Sequence, residues 1–183
     1  QINVFKLSGQ KELPVLKNGD HVVSDSSEII KYLETLKSEP RLFPKEPKEA
    51  AMAHIFEDWS DTTLAQAARN ELIKSVSTNP SLRKALLPED LPSSITGFIE
   101  NISCEFITGF NEILNPSKSN ALLASLEQLS NFFVVNEWLV GDSLSIADIS
   151  LAAQLSLLRF PLSSGEDLKG QGCLGFANNP NLE

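Results

Sequence analysis

Asp25 and Ser26 stand side by side just ahead of an apolar series, Ile29, Leu33 and Leu36, that recurs at three- and four-residue spacing. That spacing predicts an amphipathic helix with both side chains at its start. A helix start presents unpaired N–H groups and the positive end of its dipole, so it can hold an anion such as a carboxylate. Glu28 follows Asp25 by three positions, the pattern of a capping box. A fold requirement and a binding capacity therefore share the same residues.

The preceding segment would place that helix start. Pro14 opens the short apolar run Val15-Leu16, where the beginning of a strand tolerates a missing backbone donor. Asn18-Gly19 supplies the φ > 0 positions of a tight two-residue hairpin, and His21-Val22-Val23 gives the returning strand. Strand, turn, strand and capped helix in that order read as a ligand cradle.

Ser145 and Asp148 form a second capping box, with Leu144 and Ile149 placed as its hydrophobic staple. A buried helix end with unpaired N–H groups is costly, so this cap stabilises its helix by roughly 0.5–2 kcal/mol and carries no substrate information. Asp148 is read as a folding residue and not as a catalytic one.

Composition excludes several other chemistries. A chain of 183 residues, 42% hydrophobic, can bury a real core. Its net charge of -9 argues against nucleic acid or an anionic membrane face as the main partner. No apolar run approaches the ~20 residues of a membrane span, and the first residues carry no signal-peptide pattern. Cys104 and Cys173, the two cysteines, lie far apart, which predicts a reducing compartment rather than a disulfide framework. His21 and His54 alone give no spacing for a zinc or iron site, so no metal is expected. Gly170-x-Gly172-x-x-Gly175 spells a dinucleotide fingerprint, but no strand precedes it and no helix pattern follows, so it reads as a loop. Asn101-Ile-Ser103 spells a glycosylation site on a predicted helix and is set aside.

Along the chain, the polar stretch Lys37 to Lys48 holds three prolines and reads as a linker, placed at 39–48 between a first domain, 1–38, and a second, 49–183. Beyond it the periodicity is helical. One apolar stripe runs through Ala51, Ile55, Phe56, Trp59, Leu64, Ala68 and Leu72; a second through Ile95, Phe98, Ile102, Phe106, Phe110 and Ile113; a third through Leu122, Leu126, Leu129 and Phe133. Ser77 to Ser94, rich in proline and serine, reads as a loop between helices.

Leu13-Pro-Val-Leu16 with Ser24-Asp-Ser-Ser-x-Ile-Ile-x-Tyr-Leu33 resembles the second half of the thioredoxin-like domain of glutathione transferases. Leu139-Val-Gly-Asp-x-Leu-Ser-x-Ala-Asp-Ile149 resembles the capped core helix of their all-helical domain. The resemblance implies a glutathione transferase fold: an α/β thioredoxin-like domain, truncated here, followed by an all-α bundle. It implies a cis peptide at Pro14, a backbone pairing of Leu13 with the cysteinyl unit of glutathione, and contacts of Asp25 and Ser26 with the γ-glutamyl end. Ile2 to Lys6 would be the end of the second strand, so the first strand and the catalytic Tyr, Ser or Cys that follows it are not in these residues. Asn178 to Glu183 resembles the entry to a terminal helix, and the chain is expected to be partial at both ends.

Val4 to Gln10, Glu57-Asp58-Trp59 and Leu168 to Gly172 look most like the glutathione transferase-like proteins of cyanobacteria and plastids, which points to the cytoplasm or plastid stroma. One departure stands out. Many family members carry Lys or Gln two residues before the cis proline to meet the glycyl carboxylate; Glu12 occupies that position here and would repel it, although Lys11 could reach round.

The function these features imply is an enzyme of detoxification type, with glutathione as co-substrate. A residue outside this chain would stabilise the thiolate, which would attack a small electrophile or exchange with a disulfide. An electrophile pocket would lie between the domains, with Phe56 and Trp59 the nearest candidates for its wall and core packing the competing role for each. The alternative is a non-catalytic docking subunit of a larger assembly. Either a homodimer or a subunit role fits the sequence.

Overall fold

The computed structural model describes residues 2–10, 13–87, 97 and 119–176. The first element is a helix, α1 (Ile2–Ser8), and not the strand end expected for Ile2 to Lys6. Gly9 terminates it at φ +74°, with its N–H on the Phe5 carbonyl at 2.9 Å, and Ser8 Oγ donates to the Val4 carbonyl at 2.9 Å. Apolar residues at 2, 4, 5 and 7 suit either period. A strand also needs a partner for its backbone groups, and the sheet among the described residues has two strands, neither of them paired with this segment.

Those strands, β1 (Val15–Asn18) and β2 (His21–Ser24), form an antiparallel hairpin with Val15 opposite Ser24 and Asn18 opposite His21. The turn is therefore Gly19-Asp20, one place later than the expected Asn18-Gly19, with Gly19 at φ +61° as its first central residue. Helix α2 (Ser26–Leu36) follows directly.

The stretch from Lys37 to Glu46 connects the two parts and is held from both sides. The Glu34 carboxylate accepts the N–H groups of Leu42 and Phe43, while the Leu42 carbonyl accepts the N–H of Ile146 at 3.0 Å. Helix α3 (Pro47–Trp59) begins inside the stretch read as linker, because Pro47 sits at the first helical position, where its missing N–H costs nothing, and Glu46 caps it. A π-helical turn, Ser60–Leu64, joins α3 to α4 (Ala65–Thr78) without a break in right-handed backbone. Asn79 then accepts the Leu82 N–H at 3.1 Å and starts α5 (Pro80–Ala85), again with proline at its start. The loop expected from Ser77 thus contains the end of α4 and a short helix; proline and serine act here as helix-start signals rather than as breakers. Helices α6 (Ser119–Phe133) and α7 (Ile146–Leu155) complete the described elements.

The core gathers Leu64 and Ala68, Leu122 and Leu126 of α6, Leu139 and Val140, Ile146, Ala147 and Leu151 of α7, and Leu158, Cys173 and Phe176. Helix α3 turns an unexpected face to it. Ala53, Glu57, Ser60 and Leu64, at spacings of four, three and four, are the buried positions, whereas Ala51 and Ile55 of the apolar stripe are exposed. Small residues at 53 in α3 and 60 in the π-helical turn let this face pack against α7.

The glycines at 170, 172 and 175 lie among turns beside an isolated antiparallel bridge between Arg159 and Gly172, a loop as expected. The second apolar stripe, from Ile95 to Ile113, lies outside the described residues, as do Cys104, Asn101 to Ser103, Lys11, Glu12 and the segment from Asn178.

Candidate functional site

Helix α2 starts on Asp25, whose Oδ1 accepts the N–H groups of Ser27 at 3.0 Å and Glu28 at 3.2 Å. Asp25 adopts φ +78°, ψ 133°, a conformation that costs a non-glycine residue about 1–3 kcal/mol. The expected capping box is only half formed. Glu28 reaches forward to the Lys31 ammonium at 2.7 Å, one turn on, instead of back to Asp25. That hydrogen bond is the main reason the Lys31 ammonium is held above its ordinary pKa. Asp25 and Ser26 are both exposed.

The hairpin brings a second element to the same edge. Leu13–Pro14 is a cis peptide. The last pair of the hairpin is Val15 with Ser24, so Pro14 and Asp25 each lie one residue beyond it, and Leu13 and Ser26 follow them along the chain. Leu13 is largely exposed. The four residues at 13, 14, 25 and 26 thus flank the open end of the hairpin, and all four are exposed.

The helical part backs this edge from behind. Ser27 Oγ donates to the Glu57 carboxylate, which is only 6% exposed and lies 3.3 Å from His54 Nδ1. The Phe43 ring stacks on His54 at 5.1 Å between centroids. One turn beyond Glu57, burial pushes the Asp61 carboxyl above its ordinary pKa, opposed by a hydrogen bond from Gln154 Nε2 at 3.2 Å. Sequence reasoning did not single out Glu57 for this role. The signal available was its phase, shared with Ala53 and Ser60, which lie off the apolar stripe, and with Leu64, which lies on it.

Phe56 and Trp59 project elsewhere. They line a groove of about 590 Å³ with Ile55, Leu129, Phe132 and Leu139, walled by α3, α6 and the segment after α6. No hairpin or α2 residue lines it, so the groove lies within the helical part and not between the two parts as expected. On a helix, positions 55 and 59 lie roughly opposite position 57, whose side chain meets Ser27 of α2, and position 56 lies about 100° from it.

Ser145 and Asp148 form the capping box at α7. One carboxylate serves three donors: Asp148 Oδ1 accepts the Leu139 N–H at 2.7 Å, and Oδ2 accepts the Ser145 N–H at 2.9 Å and hydroxyl at 2.8 Å. Ser145 is 2% exposed, while the expected staple residues Leu144 and Ile149 are both exposed. Gly141, at φ +67°, packs so close to Glu49 that a Cβ would meet its Oε2 at 3.2 Å. Among the described residues no group of three or more His, Cys, Asp or Glu is placed to hold a metal ion, and no helix is long and apolar enough to cross a membrane.

Residues 3–41 match the family model described as the glutathione S-transferase N-terminal domain. The chain is 24% identical over 150 residues to maleylacetoacetate isomerase of Rattus norvegicus, covering 82% of this chain and 55% of that protein. Its structure is similar to that of a glutathione S-transferase from Rhodospirillum rubrum F11, at TM-score 0.54 and 23% identity, over 85% of this chain and 60% of the other. It is also similar to a glutathione S-transferase domain-containing protein of Marinobacter aquaeolei VT8, at TM-score 0.53 and 18% identity, over 85% and 65%. The chain thus spans under two thirds of the length of each. With a hairpin and helix matching the N-terminal domain and a helical part carrying the capped core helix, the chain has the glutathione transferase fold.

Proposed function

We propose that this protein is a glutathione-dependent transferase that binds glutathione at the edge formed by Leu13, Pro14, Asp25 and Ser26. What supports this reading is that these residues are exposed and flank the open end of one hairpin, the cis Leu13–Pro14 peptide before its first strand and the start of α2 after its second. The chemistry fits the ligand. The γ-glutamyl end carries both charges: its carboxylate suits the Ser26 hydroxyl and the dipole of α2, and its ammonium suits Asp25. The Leu13 backbone would pair with the cysteinyl unit and hold the thiol facing away from the helix. A free thiol has a pKa of about 8.5, so a donor that stabilises the thiolate is required before it attacks an electrophile or a disulfide.

The proposal includes a place near the cyanobacterial and plastid members of the superfamily and a reducing compartment. It takes the protein as a homodimer or as a subunit of a larger assembly. Phe56 and Trp59, in their groove between α3 and α6, serve an apolar co-substrate only if it binds on the helical part.

Retention on immobilised glutathione tests the reading. The protein is expected to be retained and eluted by free glutathione, and the variant Asp25→Ala with Ser26→Ala to pass through. A protein that is never retained is instead the docking subunit, with the fold kept and the ligand lost.

A further inference from the structure

Glu57 belongs to α3, yet its carboxylate serves the first turn of α2. It accepts the hydroxyl of Ser27 and lies near His54 Nδ1, and it is nearly sealed from solvent. Burying a carboxylate is costly unless it is hydrogen-bonded, and an apolar residue on the same helix face would pack without that cost. What the carboxylate adds is a directed contact. Ser27 is consequently gripped twice, its N–H by Asp25 Oδ1 at 3.0 Å and its hydroxyl by Glu57. Ser26 lies in the chain between Asp25 and the doubly held Ser27.

We propose that Glu57 is a positioning residue for the glutathione cradle, an inference that rests on the glutathione reading above. It does not touch the ligand. By anchoring Ser27 to α3 it fixes the rotation of the first turn of α2 about its own axis, and so fixes where the Ser26 hydroxyl and the Asp25 carboxylate face. An α2 held only by its cap could turn or fray at this end, because first-turn N–H groups have no partners within the helix. The helical part of the fold thereby sets the geometry of a site to which it contributes no contact.

A second tie between the same two parts supplies the control. Glu34, near the far end of α2, accepts the N–H groups of Leu42 and Phe43, so it joins the parts without approaching the cradle. The experiment is calorimetric titration of the protein with glutathione, alongside thermal melting. Ser27→Ala and Glu57→Ala are each expected to weaken binding about 10-fold, and the double variant no further than the weaker single, because both remove one contact. Glu57→Gln, which keeps an acceptor for Ser27, should bind within about 2-fold of the parent, since a neutral acceptor loses little of a single hydrogen bond. Glu34→Ala should lower the melting temperature while leaving affinity unchanged.

If Ser27→Ala binds as the parent does, or loses no more affinity than Glu34→Ala, the positioning role is overturned and Glu57 is a packing tie. If Glu57→Ala does not fold, Ser27→Ala and Glu57→Gln still decide the matter. If the parent does not bind glutathione, or binds it equally well without Asp25 and Ser26, the functional reading falls and the positioning role falls with it. A protein that loses affinity through Asp25 and Ser26 but not through Ser27 refutes the role of Glu57 alone.

Discussion

Helices α2 and α7 both use an aspartate at their start to take backbone N–H groups, Asp25 as the cap residue of α2 and Asp148 in the first turn of α7, yet the two starts differ in exposure. At α7 the Asp148 carboxylate accepts three donors, Ser145 is buried, and Ile146 donates to the linker carbonyl of Leu42. Every group is committed to the fold. At α2 Asp25 accepts two N–H groups from an exposed position and in a strained conformation, with exposed Ser26 beside it and the cis Leu13–Pro14 bend nearby. Residue type does not distinguish these two caps; burial does, and the exposed one is the one the proposal assigns to ligand.

Substitutions can break that comparison at either end, and the largest effect is expected at α7. Asp148→Ala leaves the N–H groups of Leu139 and Ser145 without their acceptor, and at about 1–3 kcal/mol for each unsatisfied group the loss of stability should be about 2–6 kcal/mol. Urea unfolding measures it; a midpoint equal to the parent's would show that Asp148 is not the hub of this cap. The affinity of the remaining folded protein for glutathione should be unchanged.

The counterpart at α2 should show the reverse pattern. Asp25→Ala with Ser26→Ala is expected to weaken glutathione binding by roughly 2–4 kcal/mol, allowing for non-additivity, with the fold retained by circular dichroism. Ser145→Ala, which leaves the Asp148 carboxylate on its two backbone donors, should cost about 1 kcal/mol of stability and no affinity. The smallest effect sharpens the account of strain at Asp25. Because glycine adopts φ +78° freely, Asp25→Gly should be more stable than Asp25→Ala by about 1 kcal/mol even though neither keeps the capping carboxylate. Equal midpoints for the two variants would remove the strain from the account.

Cys173 reports on how tightly the α7 side is sealed. It is fully buried in the same core as Ile146 and Ala147, and burial first of all pushes its thiol up to about 11 from the ordinary 9.0. The folded state therefore favours the neutral thiol. Its contribution to stability is present below pH 9.0 and is lost as pH rises toward about 11. Peptide-resolved alkylation at pH 8 should leave Cys173 unmodified in the parent and label it in unfolded protein; labelling in the native protein would contradict the sealed core.

Much of this arrangement was legible in the residues. The hairpin, the capped helix after it and the Ser145–Asp148 box follow from local chemistry that tertiary packing does not override: a glycine at a tight turn, acids at helix starts, apolar residues at helical spacing. What local pattern could not carry was anything decided across the fold. Ile2 to Lys6 suited both periods, and the choice depended on whether a partner strand lay beside them. In α3 and the π-helical turn after it, buried positions 53, 57 and 60 lie off the apolar stripe, so Ile55 is exposed while Phe56 and Trp59 are half-buried against the core, and the buried role of Glu57 was not legible. Glu28 completed a capping pattern on paper, but Lys31 one turn on was the stronger attraction.

The most direct test of the central claim, that the exposed start of α2 binds ligand while the buried start of α7 is scaffold, is to map backbone amide shifts during a titration with glutathione. The account predicts shifts concentrated at Leu13, Val15 and residues 25–28, with Ser145, Ile146 and Asp148 unmoved. Shifts confined to the Phe56 and Trp59 groove or to the start of α7, or no shifts at all, would contradict it.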